Sequence, residues 1–116
     1  MEEIEIYNII WSPSFKKELD NILYYISNVL QEPKIAKKLF LNITTQISKL
    51  KYFAEINSNF FIHNIEFKKL IIKKYVVIYQ INPENKQVYI LHIFHGNQNY
   101  FNQIWKLFYI ELLFYY

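Results

Sequence analysis

The stretch Ser12–Leu50, SPSFKKELDNILYYISNVLQEPKIAKKLFLNITTQISKL, predicts two helices with a short connection. Ser12 and Pro13 are typical of a helix start, because a hydroxyl caps the first turn and proline lacks only an N–H that would be unbonded there. Glu32 and Pro33 end this helix and start a second one. Two helices with so short a connection pack antiparallel, so we expect an αα-hairpin.

Both predicted helices carry apolar residues at the spacing of one helix face. These residues are Phe15, Leu19, Ile22, Leu23, Ile26 and Leu30 in the first helix, and Ala36, Leu39, Phe40, Ile43, Ile47 and Leu50 in the second. Lysine, asparagine and aspartate occupy most of the outer positions. Each helix is therefore expected to bury one face.

The residues around the hairpin predict strands. Residues 3–10 alternate glutamate with isoleucine, which is typical of a strand, and residues 51–64 read as irregular. Three further strands are expected at Ile65–Ile72, Tyr75–Ile81 and Gln87–Phe94, with a hairpin turn at 82–86.

The resulting order is β-α-α-β-β-β followed by a C-terminal helical tail. It predicts an α+β fold in which the helical hairpin covers one face of an antiparallel sheet. The only glycine, Gly96, follows the last strand, and we expect it to adopt a backbone angle that other residues avoid.

Composition narrows the class of protein. The chain has 116 residues, 53% of them hydrophobic, which indicates a single globular domain over 1–116 with a sizeable core. The absence of cysteine excludes disulfides, thiolate metal sites and a cysteine nucleophile. No metal site and no cofactor is expected.

The charge pattern does not identify the kind of molecule that this protein binds. The net charge is +3, and all thirteen basic residues are lysines, which lack the planar fork that arginine offers to phosphate. A weakly basic chain permits a nucleic-acid partner without favouring one. The acidic start Met1–Glu3 does not resemble a secretory signal, and no apolar run reaches the length of a membrane span, so we expect a cytoplasmic protein without a membrane partner.

Five phrases in order resemble the RelE/ParE superfamily of toxins from type II toxin–antitoxin systems. The phrases are Ser12–Ile22 with Tyr24–Ser27, Glu32–Leu39, Leu50–Phe53, Lys68–Leu70 with Tyr75–Tyr79, and Val88–Gly96. The resemblance covers roughly residues 4–105. The resemblance implies a toxin that is neutralised by a cognate antitoxin. It also implies that the toxin forms either a homodimer or a hetero-oligomer with the antitoxin.

RelE-like members cleave mRNA on the ribosome, which needs a proton acceptor, cations at the phosphate and a proton donor. At the matching positions the resemblance offers Lys68 as the cation, His92 or His95 as base or acid, and Tyr100 as proton donor or stacking surface. A histidine at a strand end is more often solvated or part of the core edge than catalytic. The two histidines lie three residues apart, so their side chains are expected on different faces.

ParE-like members instead poison DNA gyrase by binding it. The family usually follows its glycine with basic residues and an acid, whereas this chain has Asn97, Gln98 and Asn99. The missing charges slightly favour the gyrase target over ribosome-bound mRNA, and they also fit an inactive binding module.

The densest basic run is Lys68, Lys69, Lys73 and Lys74. Lys69, Lys73 and Lys74 are candidates for target binding, although lysines at an edge strand also discourage aggregation of sheets.

The tail Ile104–Tyr116 has eleven apolar residues among thirteen. Exposure of all of them would exceed the apolar patch that a monomer tolerates, so we expect the tail to pack on the domain or on a partner.

Overall fold

The structure, a computed structural model, describes residues 6–96. Tyr100 and the tail Ile104–Tyr116 lie outside these residues. The elements in chain order are β1 (Asn8–Trp11), α1 (Pro13–Tyr24), a π-helical turn (Tyr25–Val29), α2 (Pro33–Ser48), α3 (Leu50–Phe53), a 3₁₀ turn (Ala54–Ile56), β2 (Asn59–Ile62), β3 (Ile65–Ile72), β4 (Tyr75–Asn82) and β5 (Gln87–His95). The predicted β-α-α-β-β-β order is confirmed, with one further strand.

The predicted start of α1 is confirmed by its cap. The Ser12 hydroxyl accepts a hydrogen bond from the Phe15 amide at 3.0 Å and donates one to the Leu91 carbonyl at 2.9 Å. The same side chain therefore closes the first helical turn and attaches it to β5.

The apolar stripes of both helices are buried, or half-buried at Ile22 and Leu23, with two exceptions. Leu30 and Phe40 are 52% and 39% exposed. Leu30 follows the π-helical turn, whose wider winding rotates later side chains away from the stripe. Phe40 lies at the margin of the stripe whose centre is formed by Leu39 and Ile43.

A single sheet has the order β1-β5-β4-β3-β2. The three predicted strands pair antiparallel as expected, but β1 runs parallel to β5, so the prediction of a wholly antiparallel sheet is wrong. The intervening hairpin returns the chain to the end of the sheet from which β1 starts, which permits parallel pairing. Within the described residues, the first strand covers Asn8–Trp11 in place of the predicted 3–10.

The strand β2 lies in the segment predicted to be irregular. Its turn to β3 consists of His63 and Asn64, which have φ angles of 50° and 66°. Positive φ at both positions is typical of the tight turns that close hairpins. The asparagine-rich sequence before β2 is typical of a loop, and for this reason the strand was not predicted.

The helices and the sheet enclose the first of two apolar clusters. It includes Phe15, Leu19, Ile43, Val77, Tyr79 and Ile90. The second cluster lies on the opposite face of the sheet and contains Ile62, Phe67, Val76, Ile78 and Phe94. Both faces of the sheet therefore carry buried side chains.

A bulge and a glycine shape the end of β5. Ile78 pairs with His92 and Tyr79 pairs with Ile90, which leaves Leu91 as an extra residue. Gly96 does not have a positive φ, so the expected special angle is wrong. The glycine instead allows a close approach, because a Cβ atom there would lie 3.1 Å from the Lys74 carbonyl oxygen.

Candidate functional site

Lys68 is buried beneath the connection between α3 and β2. Its side chain is 8% exposed, and its ammonium group donates to the carbonyl oxygens of Glu55 at 3.2 Å and Asn57 at 3.1 Å and to the Asn59 side-chain oxygen. An ammonium group has three N–H donors, so these acceptors use its hydrogen-bonding capacity. This position favours a structural role for Lys68 over contact with a phosphate.

Tyr79 holds the same connection from the neighbouring strand. Its hydroxyl donates to the Ala54 carbonyl at 2.6 Å and accepts from the Asn57 side chain at 3.0 Å. Burial raises the pKa of Tyr79 above its ordinary value of 10.0, and the Asn57 hydrogen bond opposes that shift. Lys68 and Tyr79 are register partners on the helix side of the sheet, and together they fix residues 54–59.

His92 lies on the face of the sheet that points away from the helices, where the second apolar cluster is located. It pairs with Ile78, and its ring stacks on Phe94 with centroids 5.5 Å apart. Its Nδ1 atom contacts both carboxylate oxygens of Glu18, at 3.0 and 3.1 Å, across the edge of β5. The side chains of His92 and Glu18 are 17% and 25% exposed, so the pair is partly shielded from water.

The structure brings four of the candidate residues together at one end of the sheet. Lys69, Lys73, Lys74 and His95 line a shallow depression where the β3–β4 turn meets the end of β5. Tyr75 contacts the His95 ring edge to face at 5.5 Å, and burial raises the pKa of its hydroxyl. The predicted separation of the two histidines is confirmed, since His95 pairs with Tyr75 on the helix side.

A larger apolar cleft adjoins this depression, between the helical hairpin and the end of β5. Its volume is about 1030 Å³. Ile22, Tyr25, Ile26, Leu39, Tyr75 and Ile93 contribute apolar surface, and Glu18, Glu32, Lys38, Lys73 and Lys74 contribute charge. The cleft and the depression form a continuous surface that is mostly apolar with lysines at its margin.

The candidate residues thus form separate groups. Lys68 faces the helix side, His92 faces the other side, and the remaining lysines lie with His95 at the end of the sheet. Sequence reasoning missed Glu18, because it lies 74 positions from His92 and no local pattern links the two. Within residues 6–96, no cluster of His, Asp or Glu is suited to hold a metal ion. Over the same range, no helix combines the length and apolar character of a membrane span.

Comparison with known families identifies the chain. The model of the family described as ParE toxin of type II toxin–antitoxin system, parDE, matches residues 9–100. The chain belongs to this family of ParE toxins. It is a toxin-type protein of the RelE/ParE superfamily, as the sequence phrases predict.

Solved structures of low sequence identity share the ParE toxin fold. A chain of a chromosomal ParDE toxin–antitoxin system from P. aeruginosa aligns with a TM-score of 0.66 and 19% identity, covering 78% of this chain and 97% of its own. A chain of the RelBE2 toxin–antitoxin complex from Mycobacterium tuberculosis aligns with a TM-score of 0.57 and 14% identity, covering 78% and 98%. No curated protein sequence matches this chain.

Proposed function

We propose that this ParE toxin inhibits bacterial growth by binding an essential cytoplasmic target, with DNA gyrase favoured, and that it does not cleave RNA. The observation that carries the proposal is the separation of Lys68 from His92. Phosphate cleavage requires a cation and a proton-transfer group at one phosphate. Here the two side chains belong to opposite faces of the sheet, and the Lys68 ammonium group is surrounded by protein acceptors.

The surface at the end of the sheet supports a binding mode of action. Lys73 and Lys74 are exposed on the β3–β4 turn and border both the depression and the apolar cleft. Positive charge beside apolar surface is suited to a protein partner with acidic and apolar side chains. We propose this surface as the contact with the target, and a cognate antitoxin as the protein that prevents this contact.

Induced expression in a bacterium tests the proposal. Gyrase poisoning predicts growth arrest with a DNA-damage response and intact transcripts. We expect the double variant Lys73→Gln with Lys74→Gln to need at least a tenfold higher inducer concentration for growth arrest, because two charges leave the proposed contact. The matched control is Lys16→Gln with Lys17→Gln, which removes the same charge from the exposed side of α1. Equal arrest by both double variants contradicts a contact through the turn.

The Glu18–His92 contact supports a second candidate, a metal-independent ribonuclease. A carboxylate on Nδ1 orients an imidazole so that Nε2 can accept a proton. In this mechanism His92 takes the 2′-hydroxyl proton and the 2′-oxygen attacks the phosphorus. The P–O5′ bond breaks, the 5′-oxygen takes a proton from water, and a 2′,3′-cyclic phosphate remains. Transcripts cut on induction, and left intact with His92→Ala, favour this activity over gyrase binding. Normal growth on induction favours an inactive binding module.

A further inference from the structure

The second apolar cluster is buried on the face of the sheet that points away from the helices. Its buried members all belong to strands β2 to β5, and they are Ile62, Phe67, Val76, Ile78 and Phe94. The buried residues of the helices and helical turns all belong to the first cluster instead. Within residues 6–96, therefore, no helix contributes a buried side chain to this face.

The side chains of one sheet face do not bury one another completely. They stand roughly perpendicular to the sheet, so their ends stay open to water unless a second layer packs on them. Ile78 is nevertheless 0% exposed. Ile71 shares the same face, since it is the register partner of Val76, but it is 66% exposed. The layer that covers Ile78 therefore ends before Ile71, and residues outside 6–96 supply it.

Two segments of the chain lie outside these residues, and their compositions differ. Residues 1–5 contain three glutamates, and they precede β1, which forms the opposite edge of the sheet from β2. The tail Ile104–Tyr116 has eleven apolar residues among thirteen. Burial of apolar surface is favourable, whereas burial of unpaired carboxylates is costly. The tail is therefore the segment whose composition suits the covering layer.

The tail also has the necessary reach. The cluster extends from β5 across β4 and β3 to β2, which is about 14 Å at the usual strand spacing. Residues 97–103 follow Gly96 directly and span up to about 23 Å when extended, so they can connect β5 to any part of the cluster. As the helix that the sequence predicts, Ile104–Tyr116 is about 20 Å long and can cross all four strands.

This short connection favours the tail of the same molecule over the tail of a second copy. Short flexible connections give an effective concentration in the millimolar range, which exceeds the concentration of a usual protein sample. The match to the ParE family ends at residue 100, so the tail lies beyond the part of the chain that the family shares.

We propose that Ile104–Tyr116 packs across the second apolar cluster of its own chain and adds a third layer to the domain, opposite the helical hairpin. The tail crosses from β5 towards β2 and leaves Ile71 uncovered, at the end of the sheet where the turn lysines lie. It prevents the cluster from forming an apolar surface patch that favours aggregation. This packing does not depend on which target the toxin binds.

Photo-crosslinking of the full chain tests where the tail lies. The photoreactive residue p-benzoylphenylalanine replaces each apolar residue of the tail in turn, and mass spectrometry locates the crosslinked partner. We expect crosslinks within one molecule, from tail positions on one helix face to the buried members of the second cluster. The control replaces Tyr52, an exposed aromatic residue of α3, and should give no crosslink to this cluster. Crosslinks confined to the helical hairpin, crosslinks only between two molecules, or no crosslinks each overturn the proposal.

Hydrogen exchange in the full chain provides a second readout. Ile78→Ala removes covered side-chain volume and should accelerate amide exchange in the tail at least about tenfold, with a smaller increase in α1 on the opposite face. Ile71→Ala makes the same change at the uncovered position and should alter tail exchange less than about twofold. If Ile78→Ala does not fold, Ile78→Val removes less volume and should accelerate tail exchange about threefold. Equal tail exchange in the variants at positions 78 and 71 contradicts packing of the tail on this face.

Discussion

Replacing Lys68 by methionine separates a structural lysine from a catalytic one. The substitution keeps a long side chain but removes the three hydrogen bonds that the ammonium group donates to residues 55–59. Hydrogen bonds from a charged donor contribute about 1.5–3 kcal/mol each, but the freed acceptors lie on a connection that water can reach. We therefore expect the free energy of unfolding to fall by about 3 kcal/mol and the thermal midpoint by roughly 10–15 °C.

Urea unfolding followed by circular dichroism measures this loss. The control is Lys37→Met, which makes the same chemical change at an exposed position of α2 and should change the free energy of unfolding by less than about 0.5 kcal/mol. Growth arrest by Lys68→Met should decline only as far as the folded fraction declines. A variant as stable as the unmodified chain, with all toxicity lost, would refute the structural interpretation and indicate direct contact with the target.

Three other substitutions have expected outcomes in urea unfolding. Ser12→Ala should lower the free energy of unfolding by about 1–2 kcal/mol, because the hydroxyl caps Phe15 and also bonds to β5; an unchanged midpoint contradicts this double role. Burial raises the folded-state pKa of Tyr79 above 10.0, so the stability due to its neutral hydroxyl is present below pH 10 and decreases as the pH rises through the folded-state pKa. The unmodified midpoint should therefore fall more steeply above pH 10 than that of Tyr79→Phe, and parallel curves contradict the shift. Gly96→Ala should lower the free energy of unfolding by up to about 1 kcal/mol, because its Cβ would crowd the Lys74 carbonyl; a more stable variant contradicts this crowding.

Local sequence signals predicted the helical hairpin well. The cap at Ser12, the proline at position 33 and the apolar spacing depend on neighbours within one or two turns, so they can be recognised without the rest of the fold. The same signals failed at Leu30, because a π-helical turn changes the winding before it. They also missed β2, whose residues 59–62 form a strand because β3 lies beside them.

The candidate site was predicted less completely, and Lys68 shows why. Its place in the family phrase indicated a cation for phosphate, but nothing in a linear sequence shows that the connection 54–59 folds over that ammonium group. His92 is similar, since its contact with Glu18 depends on where α1 crosses the edge of β5.

The amino-acid sequence by itself determined the helices, the central meander and the kinship with toxins, because hydrophobic period, caps and turns are properties of short stretches. The tertiary structure decided which face each functional residue occupies. A single bulge at Leu91 puts His92 on the face opposite Lys68, and strand pairing places the turn lysines beside His95. Such choices depend on register between distant segments, and a shift of one residue along a strand reverses the face of every side chain that follows.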